Sequence, residues 1–154
     1  MLNVGDVMTK KPATVGHNAT LKQALELMER IGCRHLPVMS TDGHLIGILS
    51  DRDCRLALNS PLVMRERWQD EDTVHHTTIG SIMSPAPVVI EADAAACEAA
   101  RLMLTNNISA LPVMRGETLI GIVTTSDILV AFMSLEKKLT QLTESTVRPN
   151  PPVG

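Results

Sequence analysis

Two short segments of the chain carry residue types whose spacing suits a binding chemistry: GILSDRD, Gly47 to Asp53, and GIVTTSD, Gly121 to Asp127. In each, a glycine and two apolar residues lead to a hydroxyl side chain, Ser50 or Thr124, and an aspartate stands three residues further on. The apolar pair reads as the end of a strand, and the residues after the hydroxyl as the start of a helix. At such a junction free backbone N–H groups and the positive end of the helix dipole favour an anion. A hydroxyl can join them in holding a phosphate, and a carboxylate can accept hydrogen bonds from a ribose diol. The same residues have a plainer use, because Ser or Thr followed three residues later by an acid is a variant of the helix capping box. Both uses stand open in both copies.

No enzyme constellation competes with this reading. The chain contains no GxSxG, no HExxH and no Walker lysine motif. Cys33 and His35 stand two apart where a helix gives way to a strand, and a reactive thiol needs an electropositive partner and exposure, so Cys33 reads as packed. His75 and His76 are adjacent and so point differently, with no third ligand near in sequence; no metal site is expected. The three cysteines, Cys33, Cys54 and Cys97, form no CxxC pair and are odd in number, which fits neither a disulfide framework nor a zinc site. They are expected to be reduced, small apolar fillers.

The two junctions are positioned by a repeat. Asn3 to Met39 lies over Thr78 to Met114 at a constant offset of 75 residues. Gly5 falls on Gly80, Met8 on Met83, Pro12 on Pro87, Ala24 on Ala99, Leu27 on Leu102, Met28 on Met103, and LPVM at Leu36 to Met39 on LPVM at Leu111 to Met114. After a one-residue deletion in the next turn the offset becomes 74, so LIGI at Leu45 to Ile48 falls on LIGI at Leu119 to Ile122, and Asp53 meets Asp127.

Each copy opens on a short helical turn, VGDVM or IGSIM, followed by a proline bend and a brief extended piece, ATV or PVVI. A helix comes next. In the first copy Leu21, Ala24, Leu25 and Met28 repeat at helical spacing, Thr20 and Gln23 are spaced as a capping box, and Gly32 is placed to end the helix in a left-handed conformation. The second copy answers with Ala96, Ala99, Ala100 and Met103, with Asp93 as candidate N-cap and Asn107 where Gly32 stood. Two apolar strands joined by a polar turn, STDGH or RGET, then make a hairpin, and a second helix succeeds it at once.

Each unit therefore reads β-α-β-β-α after its leading turn. A sheet of three strands with two helices on one face buries little alone, so two units must pack together. The matched methionines Met8, Met28, Met39, Met83, Met103 and Met114 read as core. The expected organisation is repeat one at 1–58, a charged linker at 59–77, repeat two at 78–133, a continuation of the last helix at 134–145, and an extended, disordered tail at 146–154.

Composition narrows the functional classes. With 154 residues, 44% hydrophobic and 20% charged, the chain can build one ordinary domain or two small ones sharing a core, which argues against intrinsic disorder. A net charge of -3 leaves no global basic surface for a polyanion, and Trp68 and Phe132 are the whole aromatic complement, so base stacking has almost nothing to work with. Nucleic acid is thereby set aside as a partner. No apolar run approaches the length needed to span a bilayer, and MLNVGDVMTKK lacks the apolar centre of a signal peptide, so no membrane partner and a cytoplasmic location are expected.

The repeated pattern of HLPVM or ALPVM, LIGIL or LIGIV, and SDRD or TTSD resembles a tandem pair of CBS domains, the Bateman module, from Asn3 to about Phe132. That resemblance implies an α+β fold in which two βαββα repeats pack as a pseudo-twofold pair with two inter-repeat clefts. It implies a regulatory function without catalysis, and no required cofactor. The regulatory ligand would be adenosine-containing: AMP, ADP, ATP, S-adenosylmethionine or a dinucleotide.

Carried over position by position, the family's binding pattern places Arg34, His35, Ser50, Arg52 and Asp53 in the first cleft, with Val88, Ile108 and Ser109 from the facing repeat around the base. Asp53 would hold the ribose hydroxyls, Ser50 and Arg52 would approach the sugar-phosphate, and Arg34 or His35 would meet phosphate charge. The second cleft would use Thr124, Ser126 and Asp127 with Ser109 and Ala110, and Ala13, Thr14, Cys33 and Arg34 from the other repeat. Ala110 stands where His35 stands, so the second cleft lacks one potential cation and the two should be unequal. Plainer roles stand beside these: Arg34 and Arg52 as solvated charges, His35 as an edge-strand filler.

Two functions from different classes fit these residues, a ligand-sensing module acting on an unknown effector protein and a ligand-free dimerisation or docking unit. An acid retained in both copies favours the first, since a scaffold requires neither. A homodimer is expected on either reading, because the short leading helices and methionine-rich faces leave apolar surface for a second copy to cover.

Overall fold

The protein is described by a computed structural model over residues 1–58 and 74–146. Most of the anticipated linker, 59–73, and nearly all of the anticipated tail, 147–154, lie outside the described residues. The first half contains α1 (Val4–Val7), β1 (Thr9–Lys10), β2 (Val15–Gly16), α2 (Leu21–Ile31), β3 (His35–Met39), β4 (Leu45–Ser50) and α3 (Asp51–Leu58). The second repeats the series as α4 (Ile79–Ile82), β5 (Ser84–Pro85), β6 (Ile90–Glu91), α5 (Ala96–Asn106), β7 (Ala110–Arg115), β8 (Thr118–Thr124) and α6 (Thr125–Thr146). The architecture is α+β, as expected.

Local sequence signals account for the helices. Thr20 and Gln23 form a reciprocal capping box at the start of α2, and Gly32 ends it at φ 76°. Asn107 ends α5 at φ 52°, the same left-handed conformation. The start of α5 departs from expectation, because its N-cap is Ala95 and the exposed Asp93 caps nothing. Its first amide is satisfied from far away in sequence: Ala96 N donates to Leu2 O at 2.9 Å. In the matching place Leu21 N donates to Thr77 O at 2.8 Å. The last helix ends at Thr146, one residue into the segment read as tail.

Each sheet has four strands, not three, and the fourth comes from the other half. The orders are β2-β3-β4-β5 and β1-β8-β7-β6. β1 pairs antiparallel with β8, Thr9 opposite Ile122, and β5 pairs antiparallel with β4, Ser84 opposite Ile48. The leading helices are exchanged with the strands. Val4 of α1 is fully buried in the core built on Leu111, Val113 and Val123, while Ile79 of α4 is fully buried in the core built on Leu36, Val38 and Leu49. Amides of each arm bond to the opposite half, Gly5 N to Ala92 O and Gly80 N to His17 O.

The buried Val4 and Ile79 of the leading helices thus serve the opposite core of their own chain. Exposure corrects one reading. Cys97 is not a filler: it lies one residue off the apolar stripe of α5 and is exposed, whereas Cys54 is buried and Cys33 half-buried. Of the matched methionines, Met28, Met103 and Met114 are buried, and Met8 and Met83 pack against the two cores.

Candidate ligand-binding site

Each strand–helix junction closes on itself through its hydroxyl and its acid. β4 ends on Ser50 and α3 begins at once, so the first turn of the helix has donors to satisfy. Asp53 N donates to Ser50 Oγ at 3.0 Å, and Ser50 N donates to Asp53 Oδ2 at 2.8 Å. At the end of β8, Asp127 N donates to Thr124 Oγ1 at 3.3 Å, while Thr124 N and Thr124 Oγ1 donate to Asp127 Oδ2 at 3.0 and 3.2 Å. The capping role that spacing left open is therefore real in both copies. It does not use up the first aspartate, for Asp53 Oδ1 accepts from no group among the described residues.

The second aspartate is more fully engaged. Thr9, in the exchanged strand β1, donates its hydroxyl to Asp127 Oδ1 at 3.4 Å. Spacing within the motif could not reveal Thr9. The available signal was its place after Met8 in the leading turn, matched by Ser84 after Met83. The two junctions thus differ at the carboxylate itself.

The junctions are tied back to the strands beside them. Asp51 N donates to Arg34 O at 2.8 Å, and Thr125 N donates to Ser109 O at 3.0 Å, so the residue before each central strand holds the neighbouring helix start. His35 lies across from Ser50 in the β3–β4 register and Ala110 across from Thr124 in the β7–β8 register. Between the halves, His35 Nε2 and Ser109 Oγ approach to 2.9 Å. Burial pushes the His35 imidazole below its ordinary value, opposed by the nearby Asp53 carboxylate, reinforced by Arg34 and opposed again by Asp51.

The anticipated residues are brought together to different degrees. Arg34, His35, Ser50, Asp53 and Ser109 form one neighbourhood linked by the bonds and register above. Arg52 is exposed in the first turn of α3, and Ser126 in that of α6. Val88 and Ile108 are half-buried and pack against the second core, and Ala13 and Cys33 pack against the first. Thr14 is exposed just ahead of β2, and Ala110 is buried at the start of β7. Cys33 and Arg34 also line a cavity of about 470 Å3 with Leu25, Met28, Glu29, Gly32 and Asp51. That cavity lies between α2 and α3 of the first half, a location the motifs did not indicate. Burial pushes the Cys33 thiol up.

The CBS domain description matches residues 4–60 and 79–134, which spans both halves of this structure. The chain belongs to the CBS domain family. Among its CBS relatives, a CBS domain-containing protein of Dictyostelium discoideum is 38% identical over 127 residues, covering 82% of this chain and 88% of that protein. The CBS domain-containing protein YhcV of Bacillus subtilis is 32% identical over 143 residues, covering 93% and 94%. Among solved structures, the CBS domain pair of protein MJ0100 in complex with 5′-methylthioadenosine and S-adenosylmethionine superposes with a TM-score of 0.74 at 27% identity, covering 87% of this chain and 98% of that one. CBSX2 in complex with AMP superposes with a TM-score of 0.74 at 28% identity, covering 88% and 99%. The tandem CBS pair, with its two repeats and mixed fold, is thus the architecture of this protein. No helix among the described residues is long and apolar enough to cross a membrane.

Proposed function

We propose that this CBS pair is a regulatory sensor of an adenosine-containing ligand, with AMP, ADP or ATP as first candidates and S-adenosylmethionine or a dinucleotide as the wider class. Repeats 1–58 and 78–133 act as the paired units. The single observation that carries the reading is the neighbourhood at the first junction: Asp53 is bonded to Ser50 through Oδ2 while its Oδ1 accepts from no group among the described residues, Arg34 O accepts from Asp51 N, and His35 next to Arg34 meets Ser109 of the other half. In this site Asp53 accepts from the ribose hydroxyls, Ser50 and Arg52 approach the sugar-phosphate, and Arg34 or His35 meets phosphate charge. Val88, Ile108 and Ser109 flank the base.

The second site uses Thr124, Ser126 and Asp127 with Ser109 and Ala110, and Ala13, Thr14, Cys33 and Arg34 from the first repeat. Ligand binding between the halves shifts their packing and so alters an interaction with an effector protein, without covalent chemistry. The module works in the cytoplasm as a homodimer. Support comes from the adenosine ligands of the two structural relatives and from the matched acids.

A second reading, a ligand-free docking unit, is favoured by one specific observation: both aspartates already cap their own helices. Thermal-shift and titration calorimetry with AMP, ADP, ATP and S-adenosylmethionine separate the two, with uracil and guanine nucleotides as controls. The sensor is stabilised by at least one adenosine ligand more than by the controls, because a ligand that binds only the folded state adds stability by mass action. No heat and no melting shift with any of them would promote the docking unit.

A further inference from the structure

The exposed apolar surface of this chain is concentrated on its last helix. Leu129, Val130, Phe132, Met133, Leu135, Leu139 and Leu142 are all exposed there, and no residue of α6 is buried. Ile128, which packs on the second core, and Phe132, Leu135, Leu139 and Leu142 fall at intervals of four, three, four and three residues, the alternation of a coiled-coil seam, while Leu129, Val130 and Met133 lie off it on the first two turns. The seam starts on the body of the molecule and runs out past the segment that matches the CBS family, which ends at residue 134. Three turns of helix beyond Leu135 carry exposed side chains throughout. In proteins such helices draw most of their stability from packing an apolar face, not from propensity.

We propose that α6 pairs in parallel with α6 of a second copy of this chain through Phe132, Leu135, Leu139 and Leu142. The spacing asks for a helix with the same period, and this chain supplies one. The flanking charges select the direction. In a parallel pair the positions beside the seam bring Ala131 opposite Glu136 and Lys138 opposite Thr143, with no like charges facing. An antiparallel pair centred on the same seam would set Glu136 against Glu136 and Lys138 against Lys138. An anionic membrane surface is a poor match, because Glu136 and Glu144 balance Lys137 and Lys138 where a basic polar face is needed. The pairing gives a location to the self-association proposed above and is independent of nucleotide binding.

Sedimentation equilibrium on the full chain tests it, with Leu139→Glu/Leu142→Glu as the seam variant and Thr140→Glu, off the seam, as control. The wild type and control are dimers at micromolar concentration, and the seam variant dissociates at least tenfold more readily, with circular dichroism of the repeats preserved. In a Cys97→Ser background, Leu142→Cys forms a disulfide-linked dimer on mild oxidation, since a parallel seam sets residue 142 against its own copy. An antiparallel seam would set it against Phe132 and leave it uncrosslinked. A monomeric wild type, a seam variant that dimerises like the wild type, or an uncrosslinked Leu142→Cys chain overturns the proposal. A monomer that still binds nucleotide leaves the sensor reading standing, and a crosslinked dimer that binds none overturns only that reading.

Discussion

His35 Nε2 and Ser109 Oγ meet at 2.9 Å although they belong to different repeats, 74 residues apart. The contact joins the two halves at the start of their central strands, β3 and β7, beside the first junction. It requires an imidazole that burial disfavours in its charged form. The packing of the two repeats and the protonation of one histidine therefore meet at one point.

Stability should fall on acidification through this residue. His35 has a folded-state value below its ordinary one, so the unfolded chain binds the proton first. The stabilisation is fully present above the unfolded value of about 6.5 and is lost as pH falls from there through the folded value. Melting temperatures of the wild type and His35→Gln, recorded from neutral pH down to mildly acidic pH, check this. The variant should lose less stability over that window; parallel curves would refute the assignment.

The two aspartates should separate in their effect on ligand. Asp53→Ala removes charge-assisted hydrogen bonds worth roughly 1.5 to 3 kcal/mol, about ten- to a hundredfold in affinity for ATP. Asp127→Ala should spare ATP if the sites are as proposed, with Arg34, His35 and Arg52 at the first and Ala110 and Ser126 in the places of the last two at the second. Calorimetry of both variants with AMP and ATP decides, and equal losses for every ligand would show the sites to be equivalent.

The same pair should rank the other way in stability. Each substitution removes half of a capping box, a loss of about 0.5 to 2 kcal/mol. Asp127→Ala also releases Thr9 and with it a hold on the exchanged strand. Urea denaturation should show the larger loss for Asp127→Ala, with Thr9→Val accounting for part of it.

The exchanged arms should tolerate no side chain at Gly47 or Gly121. A Cβ at Gly47 would press on Met83 and lie 3.0 Å from Ser84 O, and one at Gly121 would press on Met8 and lie 2.9 Å from Thr9 O. Gly47→Ala and Gly121→Ala should each cost about 1 to 3 kcal/mol by overpacking. Hydrogen exchange should show faster opening of β5 in the first variant and β1 in the second.

The cysteines should label in order of exposure. Cys97 is open, Cys33 half-buried, and Cys54 is held near 11 by burial and by the neighbouring carboxylates of Asp53 and Asp51. A thiol reagent at pH 8 should modify Cys97 first and Cys54 last, since the thiolate is the reacting species. Mass spectrometry of early time points gives the order.

What the sequence alone determined is whatever depends on neighbours along the chain. The 75-residue repeat, the capping box of Thr20 and Gln23, the left-handed ends at Gly32 and Asn107, and the paired hydroxyl–acid junctions could all be read, because each is a local constraint on backbone torsion or on free amides. Tertiary structure alone decided which half each piece joins. The signal that α1 and β1 complete the second core, and α4 and β5 the first, lies in pairings over a hundred residues or several tens of residues distant, such as Thr9 with Ile122 and Ser84 with Ile48. The apolar residues of VGDVM and IGSIM fit either core, so hydrophobic pattern cannot choose between them. Backbone satisfaction can. Leu2 O and Thr77 O supply acceptors to the first amides of α5 and α2, and the N-cap of α5 is an alanine that has no side-chain acceptor to offer. For the same reason the engagement of Asp127 by Thr9 is invisible in the motif, since Thr9 reaches it only from the exchanged strand.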